Sequence, residues 1–437
     1  MRDRASDRSV AVIGGGLGGL AVATLLARRG RDATLFERAS TLGGRAATDD
    51  EQGFRLNRGP HALYRGGPAF AVLRDLGVPF TGSPPSASGG FALRARRRHA
   101  LPGGLVSLLT TGLFPLPAKL ETARLLVALR TVDPRPYDRT TVTAWLAANV
   151  RHPIVRELVG GLFRLTTYAA DADRQSAGTA LAQLQLALAK NVVYLDGGWQ
   201  TLVEGLRDAA VAAGARVVTG ARVVAVEHDG AVRAVRLADG TRHPADVAIV
   251  AAGPADAAAI VERAEETPLA AWAAAAIPVH AACLDVALAR LPRPHARFAL
   301  GIDEPTYCSV HSASARLAPG DGAVVHVARY LTARDGGIAL SEERRLEDIL
   351  DLVQPGWRQA VVARRTLPRM VVSHALATAD AGGTRGRPGP AVPGIRGLFV
   401  VGDWVGPDGL LADATLASAR RAADLAVAGD AAPAAAA

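Results

Sequence analysis

The chain has 437 residues and a net charge of +9, with 50 Lys and Arg against 41 Asp and Glu. A chain of this length is too long to fold around one small core, and it predicts about two or three domains. The positive charge does not indicate a nucleic-acid partner, because it is almost entirely arginine and no zinc-finger spacing or aromatic RNA-binding motif accompanies it. Two cysteines, Cys283 and Cys308, indicate a reducing compartment, and the charged N-terminus lacks the apolar core of a signal peptide. We therefore expect a cytoplasmic protein.

The first structured segment carries a dinucleotide-binding pattern. Residues 10–20 read Val-Ala-Val-Ile-Gly-Gly-Gly-Leu-Gly-Gly-Leu, which predicts a buried strand, a tight turn and a helix that ends at Gly30. Gly14, Gly16 and Gly19 occupy the positions of G-x-G-x-x-G. The first glycine permits the turn, the second lets a pyrophosphate approach the backbone, and the third lets the helix pack on the strand.

The following helix and strand complete this unit. Leu17 and Gly18 begin the helix, whose N-terminal N–H groups and partial positive charge favour a pyrophosphate. A second strand, residues 33–36, leads to Glu37 and Arg38. The Glu37 carboxylate at this strand end is suited to accept hydrogen bonds from both ribose hydroxyls. Strand, turn, helix, strand and acid thus follow in the order that a dinucleotide site requires.

Two downstream segments indicate which dinucleotide binds. Gly43-Gly44-Arg45 forms a loop in which backbone and guanidinium can reach a second phosphate or a ribityl chain. A strand over 53–57 then leads into Gly59-Pro60-His61. In these motifs the chain resembles the FAD-dependent amine oxidase and phytoene desaturase superfamily, in which both segments line the flavin.

The resemblance continues to the end of the chain. Residues 196–202, Asp-Gly-Gly-Trp-Gln-Thr-Leu, precede a helix, and 214–223 read as two short strands. The resemblance implies main-chain contacts to adenine at Val223 and a strand returning to the nucleotide at Ala252 and Gly253. The segment 398–404 and the helix over 413–425 resemble the family's closing flavin motif. That motif implies cofactor contacts at Gly402, Asp403, Leu410 and Leu411.

The resemblance implies an α/β fold, with a Rossmann-like FAD-binding domain of the GR2 type and an inserted α+β substrate domain. We assign 1–85, 190–265 and 390–430 to the FAD-binding domain, 86–189 and 266–389 to the substrate domain, and 431–437 to a frayed tail. The first insert predicts helices over 117–130, 140–150, 153–168 and 174–189. The second predicts strands over Ala281–Leu291, Arg297–Gly301, Thr306–His311 and Ala323–Leu331.

His61 is the candidate catalytic residue, because the resemblance places it beside the flavin, where a neutral imidazole can donate a hydrogen bond or take a proton. A structural turn histidine is the alternative. Four side chains on predicted strands of the substrate domain either line the pocket or are ordinary strand residues: Tyr307, His311, His326 and Tyr330. The spacing of His, Cys and carboxylate residues predicts no metal site.

Residues 94–117 form a basic and then apolar segment. Arg94, Arg96, Arg97 and Arg98 precede an uncharged stretch from Leu101 to Pro117. The stretch is shorter than the roughly 20 apolar residues that span a bilayer, and prolines interrupt it. It is either a lid or core element of the substrate domain or a peripheral contact with the inner membrane face.

The resemblance implies an FAD-dependent dehydrogenase or desaturase that moves a hydride from a lipophilic, isoprenoid-like small molecule to flavin N5. A flavin amine oxidase that uses oxygen, a redox-neutral polyene isomerase and a prenyl-binding escort-like protein without flavin are the alternatives. These readings differ in the electron acceptor, which the sequence leaves unassigned. Because no cysteine falls in the candidate flavin segments, we expect FAD to bind non-covalently.

Overall fold

The computed structural model describes residues 9–86, 90–335 and 339–428. The predicted tail, 431–437, lies outside these residues. Two large sheets organise the described chain, and smaller sheets and helices surround them.

The first sheet is parallel and has five strands. Their spatial order is β10 (Arg216–Val218), β2 (Asp32–Phe36), β1 (Ser9–Ile13), β14 (Val247–Val250) and β20 (Leu398–Val400). The strands β14 and β20 are buried along their whole length, as expected for a parallel sheet covered on both faces. This sheet confirms the predicted α/β class.

Helices cover one face of this sheet, and a small antiparallel sheet with two helices covers the other. The first face packs on α1 (Leu17–Ala27), α8 (Gln200–Ala212) and α12 (Leu411–Ala428). The second face packs on β11 (Val223–His228), β12 (Val232–Leu237), β13 (Arg242–Pro244), α9 (Pro254–Ile260) and α10 (Pro268–Ala275).

The second large sheet has seven strands. Their order is β19 (Val361–Ser373), β15 (Val279–Leu288), β18 (Ala323–Leu331), β17 (Thr306–Val310), β16 (Phe298–Gly301), β7 (Gly90–Arg94) and β8 (Arg97–Ala100). Neighbouring strands are antiparallel except β16 and β7. The four predicted strands are confirmed with slightly shifted bounds. The helix α11 (Ala339–Val353) packs on one face of the sheet.

Helices from the first insert form a layer beside the second sheet. They are α3 (Leu105–Thr110), α4 (Leu116–Ala128), α5 (Val142–Asn149), α6 (Pro153–Thr167) and α7 (Ala177–Lys190). Their shared apolar core includes Ala92 of β7 and Ile302, so the layer packs against the β7–β16 side. The four helices predicted for this insert are confirmed as α4 to α7.

The remaining elements join the two layers. They are β3 (Thr48–Glu51), β4 (Phe54–Asn57), β5 (Leu63–Tyr64), α2 (Pro68–Asp75), β6 (Gly82–Ser83) and β9 (Val192–Leu195). The strands of the parallel sheet come from three separated stretches of chain. The division into domains at the stated boundaries stays a prediction.

Asp413 is a buried carboxylate in the first turn of α12. One of its oxygens, Oδ1, accepts a hydrogen bond of 2.9 Å from the N–H of Ala69 at the start of α2, and the residue is 2% exposed. The other oxygen, Oδ2, has no hydrogen-bond partner among the described residues. Burial raises the pKa of Asp413 from 3.8 to about 6.

This raised pKa predicts a loss of stability as the pH rises. Between about pH 4 and pH 6 the folded carboxyl keeps its proton while the unfolded one loses it, which costs the fold up to about 3 kcal/mol. Asp413→Asn, which is neutral at every pH, should lack this loss. Urea unfolding across that range measures it, with the exposed Asp424→Asn on the same helix as control. A wild-type pH dependence unchanged in Asp413→Asn would contradict this assignment.

Candidate functional site

A cavity of about 620 Å³ has walls from both large sheets. Residues of β1, α1 and the segment 401–403 after β20 form one part of the wall, and residues of β15 and β19 form another. The cavity collects most of the predicted cofactor residues: Gly14, Gly16, Leu17, Gly18, Glu37, Arg38, Gly43, Gly44, Arg45, Pro60, His61, Val223, Ala252, Gly253, Gly402, Asp403 and Leu411.

Three predicted residues do not contribute to this wall. A Cβ on Gly19 would lie 1.8 Å from the carbonyl oxygen of Gly14, so Gly19 serves the packing of α1 against the turn. Leu410 instead lines a second, small cavity. Gly59 faces the second sheet, where its N–H donates to Asp285.

The glycines of the first turn have the separate roles that the motif requires. Gly14 has φ +109°, which favours glycine, and a Cβ there would lie 2.6 Å from the Ala251 carbonyl oxygen. A Cβ on Gly16 would meet only the Gly43 carbonyl oxygen, at 3.9 Å, and one on Gly44 would meet nothing within 4 Å. The backbone is therefore open at the positions where a dinucleotide must approach, and the residues present fit FAD.

Backbone N–H groups orient Glu37 at the end of β2. Its Oε2 accepts from the N–H of Gly15 at 2.6 Å, and its Oε1 accepts from the N–H of Ala39 at 2.8 Å. Each carboxylate oxygen has a further lone pair. The carboxylate is thus fixed at the cavity wall and retains acceptor capacity for ribose hydroxyls.

Asp403 is a buried anion held by two cationic or polar partners. Its side chain is 2% exposed, and Nη1 of Arg45 donates to its Oδ2 at 2.7 Å. Its Oδ1 lies 3.1 Å from Nδ1 of His374 and accepts from the His374 backbone N–H at 3.2 Å. Burial raises the pKa of Asp403, but Arg45 and His374 outweigh burial and hold it well below its usual range. Arg45 also donates to the Val372 carbonyl, so its guanidinium joins the loop 43–45 to β19.

His61 is neutral in this environment. Its Nδ1 lies 3.0 Å from the Gly59 carbonyl oxygen, and its ring meets the Trp199 ring edge-on at 4.9 Å. Since a carbonyl only accepts, Nδ1 carries the proton and Nε2 keeps its lone pair. Burial lowers the pKa of His61 to about 4.

The wall from the second sheet and α6 was only partly predictable. The sequence patterns do not identify the following wall residues as cofactor or substrate contacts: Tyr168, Ala281, Cys283, Met370, Val372 and His374. They also do not identify Trp199, although it falls in the 196–202 motif. The four strand residues weighed as pocket candidates, Tyr307, His311, His326 and Tyr330, are buried and do not line this cavity. Among the described residues, no group of three or more His, Cys, Asp or Glu is arranged to hold a metal ion.

Cys283 lies in the cavity wall, although the sequence predicts no cysteine near the flavin. It lies in the second insert, yet its strand β15 places it in the cavity wall beside Met370. Its side chain is fully buried, and burial, with Asp285 nearby, raises the pKa of the thiol well above its ordinary value. A protonated thiol is a poor nucleophile, so this cysteine does not by itself indicate a covalent flavin link.

Comparisons with known proteins agree with this geometry. The family model for flavin containing amine oxidoreductases matches residues 17–427. A carotenoid 3,4-desaturase from Haloarcula japonica is 47% identical over 55 residues, which are 13% of this chain and 11% of that protein. A coproporphyrinogen III oxidase from Propionibacterium freudenreichii subsp. freudenreichii is 25% identical over 333 residues, 63% of this chain and 62% of that protein. The chain thus spans less than two thirds of either relative.

A solved structure with a similar fold is an oxidoreductase from Methanosarcina mazei. It superposes with a TM-score of 0.77 at 20% sequence identity and covers 94% of this chain and 99% of its own. This likeness extends the fold comparison over nearly the whole molecule.

We expect Arg45→Ala to weaken FAD binding by roughly 10- to 150-fold, because a charge-assisted hydrogen bond contributes about 1.5 to 3 kcal/mol. The substitution also leaves the buried Asp403 without its cation. Arg58→Ala is the matched control, since Arg58 lies near the same loop, is 46% exposed on its side chain and does not line the cavity. FAD titration of both variants tests the role of Arg45. Equal affinities for Arg45→Ala and wild type would refute it.

Proposed function

The chain belongs to the flavin containing amine oxidoreductase family and is an FAD-dependent oxidoreductase, and from this premise we propose that it dehydrogenates a lipophilic, isoprenoid-like small molecule. When bound, the flavin supplies a hydride acceptor at N5. The protein then has to hold a C–H bond over the ring, exclude water and receive the proton that the substrate loses.

The observation that carries this proposal is the distribution of charge along the cavity wall. The charged wall residues are Glu37, Arg38, Arg45, Arg222, Asp256 and Asp403. Glu37, Arg38 and Asp403 follow the ends of β2 and β20, Arg222 precedes β11, Asp256 lies on α9, and Arg45 belongs to the loop 43–45. The wall given by the end of α6, β15 and β19 instead presents Tyr168, Ala281, Cys283, Met370, Val371 and Val372. His374, just after β19, also lines it and is paired with Asp403. A molecule that meets this wall makes apolar contacts and needs no counter-charge.

Leu411 extends the apolar surface. It lines the cavity at the start of α12 and has φ +55°, a conformation that bulky residues rarely adopt. Many amine oxidases carry an aromatic side chain just before this helix, so leucine at this point favours a hydrocarbon over an amine. The carotenoid 3,4-desaturase relative, which acts on a carotenoid by its name, supports the same substrate class.

His61 is the proposed proton acceptor. Forming a C=C bond removes a hydride from one carbon and a proton from its neighbour. With Nδ1 bonded to the Gly59 carbonyl, Nε2 of the neutral ring is the atom available for that proton.

We expect apolar polyenes, and not simple amines, to reduce the enzyme. Anaerobic titration of the FAD-loaded protein with an isoprenoid polyene in detergent, and separately with benzylamine and a polyamine, follows the bleaching of the flavin band. The polyene should bleach the flavin band, and the amines should leave its absorbance unchanged for the duration of the experiment. Rapid bleaching of the band by either amine, with hydrogen peroxide released once oxygen is readmitted, would replace this proposal with an amine oxidase.

We also propose that an apolar face on α3 and α4 makes peripheral contact with an anionic membrane. Five large apolar side chains of these helices are more than half exposed: Val106, Leu109, Leu116, Leu120 and Val127. The three on α4 share one helix face through spacings of four and seven residues. Among the described residues, every helix is too short or too polar to cross a bilayer.

Charge supports an anionic lipid surface as the partner. Residues 94–130 contain seven Arg or Lys and one Glu. Arg97, Arg124 and Arg130 are exposed and form no ion pair with another described residue. Exposed leucines flanked by unpaired arginines are the combination that binds the headgroup region of acidic bilayers.

Replacing Leu116 and Leu120 by Ser should release the protein from vesicles of phosphatidylcholine and phosphatidylglycerol. Each buried leucine contributes about 1.5 to 3 kcal/mol, so binding should fall about ten-fold or more. Cosedimentation measures it, and Val211→Ser, at an exposed valine on α8, is the control. Equal vesicle binding by wild type and by the Leu116 and Leu120 variant, unchanged by added salt, would exclude this face.

A further inference from the structure

The segment Gly59–His61 connects β4 to β5 and carries the candidate proton acceptor into the cavity wall. We call it the His61 turn. Gly59 has φ +78°, and a Cβ there would lie 2.7 Å from Sδ of Met370. Apart from the bond between the His61 ring and the Gly59 carbonyl, the turn is held by residues distant in sequence.

Asp285 holds the first residue of the turn. Its side chain is fully buried, and its Oδ2 accepts from the Gly59 N–H at 3.2 Å. The same carboxylate accepts from His326 Nδ1 at 2.6 Å and from Arg365 Nη2 at 2.8 Å. Burial raises the pKa of Asp285, but His326 and Arg365 lower it by more than burial raises it. The net pKa therefore lies below the ordinary value. The Gly59 N–H therefore meets a fixed anion.

Tyr168 holds the second residue. Its hydroxyl donates to the Pro60 carbonyl at 3.1 Å, and its ring lines the cavity. Tyr168 ends α6 with φ +61°, and its N–H donates to the Arg164 carbonyl at 2.7 Å. A bulky residue in this left-handed region is a rare conformation that usually marks a functional constraint. With this helix ending, the phenol reaches the turn.

We propose that Tyr168 is a positioning residue that sets the His61 imidazole against the cavity through its bond to Pro60. The bond fixes the carbonyl next to His61 while Asp285 fixes the amide two residues before it. The turn is thereby anchored from α6 and from β15, and the backbone that carries the His61 ring cannot shift away from the cavity without breaking one of these bonds. The proposal rests on the proposed function for the role of His61 and on the structure for its placement.

The chain offers a matched control in Tyr330. The rings of Tyr168 and Tyr330 meet edge-on at 5.7 Å, and both side chains belong to the same apolar cluster. The Tyr330 hydroxyl is buried and has no hydrogen-bond partner among the described residues. Tyr168→Phe and Tyr330→Phe thus remove the same atom from neighbouring rings, and only the first breaks a bond to the turn.

The first measurement is the rate at which diethyl pyrocarbonate modifies His61 in the purified protein, followed by peptide mass spectrometry. Loss of one hydrogen bond should raise this rate by about 2- to 10-fold in Tyr168→Phe and leave it unchanged in Tyr330→Phe. This measurement needs no substrate. Equal rates in the two variants would overturn the positioning role.

The second measurement is the visible spectrum and the reduction potential of bound FAD. Both should shift in Tyr168→Phe and in His61→Gln and stay at wild-type values in Tyr330→Phe, whereas a purely structural role would change unfolding in urea without moving them. If His61 is modified faster but the flavin spectrum and potential do not change, Tyr168 positions the turn, and the proposed location of His61 beside the flavin is refuted. The two proposals therefore fail separately.

Discussion

The buried charge of Asp403 is the constraint on which the cavity depends. A carboxylate that is 2% exposed is tolerated only with partners, and here these are Arg45 from the glycine loop and His374 from the end of β19. Three stretches of chain, separated by up to 358 positions, therefore have to meet at one point. The cofactor loop, the last strand of the nucleotide sheet and the edge strand of the second sheet acquire their positions together.

Asp285 applies the same principle on the other side of the cavity. Its partners, His326 and Arg365, lie on the strands flanking β15, at the positions directly across from it. Arg365 also donates to the carbonyl of Asn57 and pairs with Asp49, so the anion ties β3 and β4 to the second sheet. Asp413 shows the contrast. With one backbone N–H as its partner, burial dominates and its pKa rises, while those of Asp285 and Asp403 fall.

The sequence predicts the nucleotide-binding unit well because its determinants are local. Gly19 packs on Gly14, five residues before it, and β1, α1 and β2 follow directly from the apolar pattern. The strand β19 escaped prediction because nearly all of its residues are half-buried or exposed, so it shows no alternation. Tyr168, Cys283 and His374 reach the cavity through strand pairing and a helix ending that no local pattern encodes. Their contribution depends on register, which shifts a side chain to the opposite face with each residue.

The two halves of the wall differ in the charged groups they present, and under the proposed function this difference is a basis for selectivity. In the nucleotide half, Asp403 and Glu37 have cationic or N–H partners that offset their desolvation. In the half given by α6, β15 and β19, no carboxylate in the described wall faces the cavity to compensate an ammonium group. A charged amine would lose its hydration there without a counter-ion, a cost of several kcal/mol. An uncharged hydrocarbon pays no such cost, and the neutral His61 adds none. Under the proposed function, the missing counter-ion thus disfavours a cationic amine, and no steric block is required.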